Sequence, residues 1–329
     1  MNFDAFSREF VPVRGGTMFV RRAGTGPAVL LLHGYPETCF AWHKVAPSLA
    51  EQFTVIAADL PGHGDSTVSP DMFDNDRISK RAMAHALADV MTELGFSQFA
   101  VVGHDRGGRV AYRLALDLPE RVRSLAVLDV LPILDMAEGI TYESARQMAH
   151  WLFFAQPSTV PETLVGCDPA FYVRHILEEW GGANVIEPEA VDEYVRCMRK
   201  PDVLHASGAE YRADQLDLDH DRADRITSRR LACPVLTIWA QGGLAEQFGD
   251  HIGVWERWAD DVRGGPLTGG HFIMEESPEK LVVHLRLFLT NTFTRAVDRA
   301  SPADGEPESR TALVARSRDR RAPGSRADR

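Results

Sequence analysis

The sequence predicts an α/β fold: a mostly parallel sheet with helices on both faces and a helical cap inserted late in the chain. Three observations predict it. Short, fully apolar runs rich in Val, Ile and Leu recur at 28–32, 53–58, 99–102, 125–128 and 235–239, separated by helix-period segments. Strands apolar on both faces belong to a sheet covered on both sides. A Gly-rich turn follows the third run directly, and a long aromatic stretch without strand signals separates the fourth run from the fifth.

The elements follow in order. Between the second and third runs, Ile78, Ala82, Ala86, Val90 and Leu94 lie four apart, with Met83, Leu87 and Met91 on an adjoining row. That is one apolar helix face, and Gly95 supplies its stop. From about 131 to 229 the chain carries His150, Trp151, Phe153, Phe154, Phe171, Tyr172, Trp180, Tyr194 and Tyr211 at helical spacings. An insertion there covers the carboxyl edge of the sheet, where open α/β sheets place their sites. The expected division is core at 1–130, helical cap at 131–228, core again at 229–295, and a disordered tail at 296–329 rich in Pro, Gly, Ser and Arg.

Composition narrows the function. The chain has 329 residues, 36 Lys plus Arg against 47 Asp plus Glu, and a net charge of −11. The tail holds eight Arg against six acids, a balance of +2, so the remainder carries −13. Such an acidic surface argues against nucleic acid or an anionic membrane as partner, and by the same logic against an anionic substrate. Cys39, Cys167, Cys197 and Cys233 form no CxxC pair or zinc spacing, and read as thiols in a reducing compartment. The first residues lack an apolar signal segment, and no apolar run approaches membrane-spanning length. A cytoplasmic protein is expected.

The chemistry lies at Gly103-His104-Asp105-Arg106-Gly107-Gly108, an apolar strand running into G-x-D-x-G and then a helix. This is the pattern of the nucleophile elbow of an α/β-hydrolase, with Asp105 where Ser often stands. A carboxylate attacks saturated carbon, giving an alkyl ester that water must cleave, which restricts the reaction to dehalogenation or epoxide opening. The bland alternative is a Gly-rich turn with a capping Asp. His33-Gly34-Tyr35-Pro36 follows the first run, so the backbone N–H groups of Tyr35 and Arg106 are the candidates for an oxyanion hole. His271, in Gly269-Gly270-His271-Phe272, occupies the base's place in chain order. The fifth run is followed by Ala240-Gln241-Gly242-Gly243 with no nearby carboxylate, and Asp129, ending the fourth, is the acid chosen to orient the base; Asp135 and Glu246 are read as solvated. Arg106 and Arg109, three apart at a helix start, are suited to bidentate capture of a small carboxylate, each charged hydrogen bond contributing roughly 1.5–3 kcal/mol. Asp59-Leu60-Pro61-Gly62-His63-Gly64 reads as a structural turn.

The segments HGYP, GHDRGGR, VLDVLP, HW, EYRAD and GGHF resemble those of fluoroacetate dehalogenases, the haloacetate-hydrolysing branch of the α/β-hydrolases, over nearly all of the chain to about Thr294. The resemblance implies Asp105 as nucleophile, Asp129 as acid, His271 as base, and carboxylate binding by Arg106 and Arg109. It also assigns His150, Trp151 and Tyr211 to a halide pocket, with Trp180 as a further pocket residue. Imidazole, indole and phenol can each donate to a departing halide. No metal or organic cofactor is implied; a homodimer and a small haloacid substrate are. The alternatives are an epoxide hydrolase using cap tyrosines from among Tyr142, Tyr172 and Tyr194, and a non-catalytic carboxylate-binding protein on the same scaffold.

Overall fold

The computed structural model describes residues 2–300 apart from 158, 183, 184 and 244. Nine strands form one sheet: β1 (Ser7–Val13), β2 (Gly16–Ala23), β3 (Ala28–Leu32), β4 (Thr54–Ala58), β5 (Thr67–Val68), β6 (Phe99–His104), β7 (Val122–Leu128), β8 (Val235–Ala240) and β9 (Val262–Leu267). Their order is β1-β2-β4-β3-β6-β7-β8-β9, with β5 beside β2. From β4 onward every pairing is parallel, while β1, β2 and β5 pair antiparallel.

All five apolar runs are strands. The even and odd residues of β3 and β4 divide between two cores: Val29, Leu31, Val55 and Ala57 face one side, Ala28, Leu30, Leu32, Ile56 and Ala58 the other. The runs miss β1 and β2, whose charged and polar positions lower their apolar signal, and β9, whose Val-Arg-Gly-Gly-Pro-Leu composition suits only an edge.

Helices α1 (Ala46–Leu49), α2 (Lys80–Glu93) and α3 (Asp105–Asp117) belong to the first part of the chain. Ser79 caps α2 through the Ala82 N–H, and Gly95 ends it at φ 87°, with the Gly95 and Phe96 N–H groups bonding back to Thr92 and Met91. Between β7 and β8 the described residues form helices only: α4 (Ile133–Glu138), α5 (Tyr142–Gln147), α6 (Ala149–Phe154), α7 (Val160–Cys167), α8 (Pro169–Gly181), α9 (Pro188–Met198), α10 (Pro201–Arg212) and α11 (Asp214–Ile226). Then come α12 (His251–Glu256), α13 (Ile273–Glu276) and α14 (Pro278–Ala300). The backbone of α14 continues past 296 to Ala300, so the expected tail boundary falls inside a helix, because the apolar period of α14 ends before its backbone does. The rest of the tail, 301–329, lies outside the described residues.

The helical insertion is tied to the core by charge. Arg113 of α3 donates to Asp221 and Asp224 of α11 at 2.6 and 2.5 Å, and Tyr112 donates to Asp221 at 2.9 Å. Asp135, expected in solvent, is instead buried, accepting from Arg225, Arg257 and the Trp258 indole. A lone Asp in an apolar stretch gave no sign of partners so distant along the chain.

The strand-to-helix turn requires glycine. A Cβ on Gly107 would stand 2.3 Å from the His33 carbonyl oxygen, and one on Gly103 would stand 2.4 Å from that of Gly107. Gly107→Ala therefore loses about 3 kcal/mol or does not accumulate as folded protein. Gly265→Ala, with nothing within 4 Å of its Cβ, stays within about 0.5 kcal/mol of wild type. Urea denaturation of both proteins measures this, and equal stability of the two variants would contradict the packing described.

Candidate active site

Strand β6 delivers Asp105 to the first position of α3 in a left-handed conformation, φ 46°, that a non-glycine residue adopts only under restraint. The turn stacks tightly on its neighbour: a Cβ on Gly34 would sit 2.7 Å from Asp105 Cβ, so that residue must be glycine. Close approach lets the Tyr35 N–H donate to Asp105 Oδ1 at 3.1 Å.

Two other elements meet Asp105. The loop before α13 presents His271, whose Nε2 is 3.9 Å from Asp105 Oδ2 and whose Nδ1 donates to Asp129 Oδ2 at 2.6 Å. Asp129 follows β7, also at positive φ, 48°, and its other oxygen accepts the Ala240 N–H at 2.9 Å. A carboxylate, an imidazole and a second carboxylate thus stand in series, the arrangement that lets histidine take a proton while its tautomer is fixed. Glu246, the other alternative to Asp129, is exposed and accepts the Gly242 N–H. Behind the series His104 pairs with Glu37 at 3.0 Å and with the His271 carbonyl oxygen at 2.9 Å.

A cavity of about 350 Å³ opens over these groups. Asp105, Arg109, Asp129, His150, Trp151, Trp180 and His271 line it, with Val130, Met136, Gln147, Met148 and Glu179. Sequence reasoning missed these last five, whose apolar or ordinary surface character carried no signal. The two arginines are buried, each 1% exposed, but differ in role. Arg106 does not line the cavity: its Nε and Nη2 donate to Glu210 and Asp214 at 2.9 and 3.1 Å, leaving Nη1 without a partner. Among the described residues Arg109 donates only to Met136 Sδ, at 3.1 Å, and its Nε and Nη1 are buried without a partner. Glu210 also binds Lys80 and His63, a buried cluster with no earlier hint beyond its place beside Tyr211.

Tyr211 likewise does not line the cavity; its ring lies under the Arg106 guanidinium, 3.9 Å away, and edge-on to His150. The resemblance placed it in the halide pocket, and a phenol long enough to stack on arginine sits one layer back. His150 packs on Trp180 with ring centres 4.5 Å apart. Tyr142, Tyr172 and Tyr194 do not line the cavity either: Tyr142 is 83% exposed, and Tyr194 donates to Glu275.

The charges sort the titrations. Burial would raise the Asp105 carboxyl, but the charges of His271, His104, Arg109 and Arg106 overcome it and hold it at about 2. Burial would lower His271, yet the Asp129 hydrogen bond and charge, with Asp105 and Glu37, raise it to about 9. Burial, helped by Arg106, His271 and Arg109 against the opposing pull of Asp105, lowers His150 to about 3, so that it is a neutral imidazole with one N–H. Among the described residues no group of three or more His, Cys, Asp or Glu is placed to hold a metal ion.

A parallel sheet in this strand order, with an elbow, a histidine and an acid at its carboxyl edge, defines an α/β-hydrolase. The family profile described as alpha/beta hydrolase fold matches residues 27–278, and the chain belongs to that family. It is 39% identical to the fluoroacetate dehalogenase of Burkholderia sp over 292 residues, 88% of this chain and 95% of that one. It is also 34% identical to the soluble epoxide hydrolase of Corynebacterium sp. (strain C12) over 82% of this chain and 92% of that one. Among solved structures, an alpha/beta hydrolase candidate from Nostoc sp PCC 7120 superposes with a TM-score of 0.83 at 43% identity, covering 88% of this chain and 99% of the other. A candidate epoxide hydrolase from Pseudomonas aeruginosa gives 0.84 at 37%, covering 89% and 98%.

The raised His271 makes pH testable. A folded-state value above the unfolded 6.5 means that its stabilising contribution is complete below pH 6.5 and disappears as pH rises through about 9. In Asp129→Asn the His271 imidazole resonance titrates at least one pH unit lower than in wild type, followed by NMR, and the stability loss between pH 6.5 and 9 shrinks. An unchanged titration would rule out Asp129 as its partner.

Proposed function

We propose that the protein hydrolyses haloacetates to glycolate and halide. The observation that carries this reading is the pairing, in one cavity, of the Asp105 carboxylate with the unpartnered N–H groups of the buried Arg109. A carboxylate suits attack on saturated carbon, and an open guanidinium fork is the complement of a small carboxylate substrate. An epoxide has no anionic group to occupy such a fork, and the cap tyrosines that would protonate its oxygen do not line the cavity.

In this mechanism Arg109 holds the substrate carboxylate, while the Arg106 guanidinium, held by Glu210 and Asp214, stays behind the cavity wall. An Asp105 oxygen attacks the α-carbon from the side opposite the halogen; the C–O bond forms as the C–X bond breaks, and the halide leaves with the electron pair. His150 and Trp151 donate to it, replacing the water a small halide gives up. Esterification removes the negative charge of Asp105, one of the groups raising His271, so the imidazole becomes easier to deprotonate when a base is needed. His271 then takes a proton from water, whose oxygen attacks the Asp105 carbonyl carbon. The Tyr35 and Arg106 backbone N–H groups hold the oxyanion. The ester C–O bond breaks, glycolate takes the proton back from His271, and the water's second proton, left on the new Asp105 carboxyl, passes to solvent, so that Asp105 returns as carboxylate and the net products are glycolate, halide and one proton.

Three features bear on the setting of this reaction. The four cysteines are free, which supports a reducing, cytoplasmic compartment. Among the described residues no helix is long and apolar enough to cross a membrane. Exposed Tyr142, Leu152, Leu164 and Phe171 on successive cap helices support a homodimer, to be measured by light scattering.

Purified enzyme releases fluoride and chloride from fluoroacetate and chloroacetate and leaves an epoxide panel untouched. Diol formation without halide release would establish the epoxide reading instead. His271→Asn accumulates a carboxymethyl ester on Asp105, seen by intact mass and located by peptide mapping; an unmodified Asp105 after halide release would refute its role. Trp151→Phe costs on the order of 2.7–4 kcal/mol in transition-state stabilisation, more with fluoroacetate than with chloroacetate.

A further inference from the structure

Each guanidinium assigned to the substrate carboxylate stacks on an aromatic ring assigned to the halide. Arg109 Cζ lies 4.2 Å from the centre of the Trp151 ring, and Arg106 Cζ lies 3.9 Å from that of Tyr211. Both are well inside the roughly 6 Å over which a cation is attracted to a ring face. The two stacks are not equivalent. Arg106 is held by Glu210 and Asp214 whether or not Tyr211 is present. Arg109 has no carboxylate within hydrogen-bond reach among the described residues; its contacts are the Met136 sulfur and the Trp151 face. Trp151 is half-buried and lines the cavity, while Arg109 is buried, so this contact is largely desolvated.

We infer that Arg109 and Trp151 act as one unit, in which Arg109 is a positioning residue for the halide donor as well as the anchor of the substrate carboxylate. A cation over the indole face draws π density toward itself and leaves the N–H edge more positive, a stronger donor to halide. The stack also fixes the ring, so the N–H is aimed before substrate arrives. Linkage makes the effect reciprocal: the indole face holds the guanidinium in place for the carboxylate, although it touches no part of that carboxylate. The inference rests on the haloacetate reading.

Two measurements on resting enzyme, without turnover, test it. In the first, chloride affinity is measured by quadrupolar NMR line broadening in wild type, Arg109→Lys, Trp151→Phe and the double variant. Lysine keeps the charge and loses the planar stack; phenylalanine loses the N–H. Each single change weakens chloride about tenfold, within the range of one cation–π contact, and the double variant is no weaker than the weaker single one. Losses that multiply, or an Arg109→Lys enzyme binding chloride like wild type, overturn the coupling. In the second, acetate affinity is measured in Trp151→Leu and Trp151→Phe, which keep Arg109 and alter only a half-buried ring. Leucine weakens acetate severalfold and phenylalanine, retaining an aromatic face, restores most of it. Unchanged acetate binding in Trp151→Leu overturns the inference. A wild-type enzyme that binds no chloride and releases no halide refutes the haloacetate reading itself, whereas normal halide release with additive variants refutes the coupling alone.

Discussion

Burying three guanidinium groups on one helix is the constraint around which this molecule is arranged. Arg106, Arg109 and Arg113 of α3 are at most 2% exposed, and each would cost several kcal/mol without compensation. Compensation comes from the inserted helices: Glu210 and Asp214 for Arg106, Asp221 and Asp224 for Arg113. Lys80 joins the same cluster through Glu210, Asp214 and Asp217. Core and insertion are thus joined by charge pairs placed along a helix face, and removing either partner of one strands the other in a dry interior. The middle arginine, Arg109, is the exception: it lines the cavity and has two buried donors without a partner.

The buried charges around the cavity, Arg106 and Arg109 among them, shape its acid–base behaviour. They help hold Asp105 ionised and His150 neutral, while Asp129 keeps proton affinity high at His271. At neutral pH an ionised carboxylate at Asp105, a neutral imidazole at His150 and a protonated imidazolium at His271 therefore share one cavity. The acidic balance of the chain, −13 outside the tail, poses no obstacle to an anion here. Several of those acids are spent inside on the arginines and Lys80, and outside the cavity screening shortens the reach of surface charge to roughly 8 Å at physiological salt.

Much of this was legible in the sequence because it rests on local pattern. Five apolar runs marked the parallel strands, G-x-D-x-G marked the elbow, and chain order pointed to Asp129 and His271, which the fold brings together. What was not legible depends on distant pairing. Asp135 looked solvated because Arg225, Arg257 and Trp258 are remote in sequence. The division of labour between Arg106 and Arg109 was invisible, since helical spacing puts both on one face and cannot tell which meets Glu210. Tyr211 was placed by resemblance alone, and its position behind Arg106 is a matter of packing. The outer strands escaped because edge positions are half polar and carry Gly and Pro.

Those outer strands have a consequence for how the molecule meets others of its kind. One border of the sheet is β1, with Arg8, Glu9 and Pro12; the other is β9, with Arg263, Gly264, Gly265 and Pro266. Proline offers no N–H to an incoming strand, and charged or glycine positions make poor pairing partners. Both borders are blunted against recruiting a neighbour's backbone. A protein with a long, mostly parallel sheet thereby guards itself against continuous ribbon growth at the very positions that were hardest to read as strands.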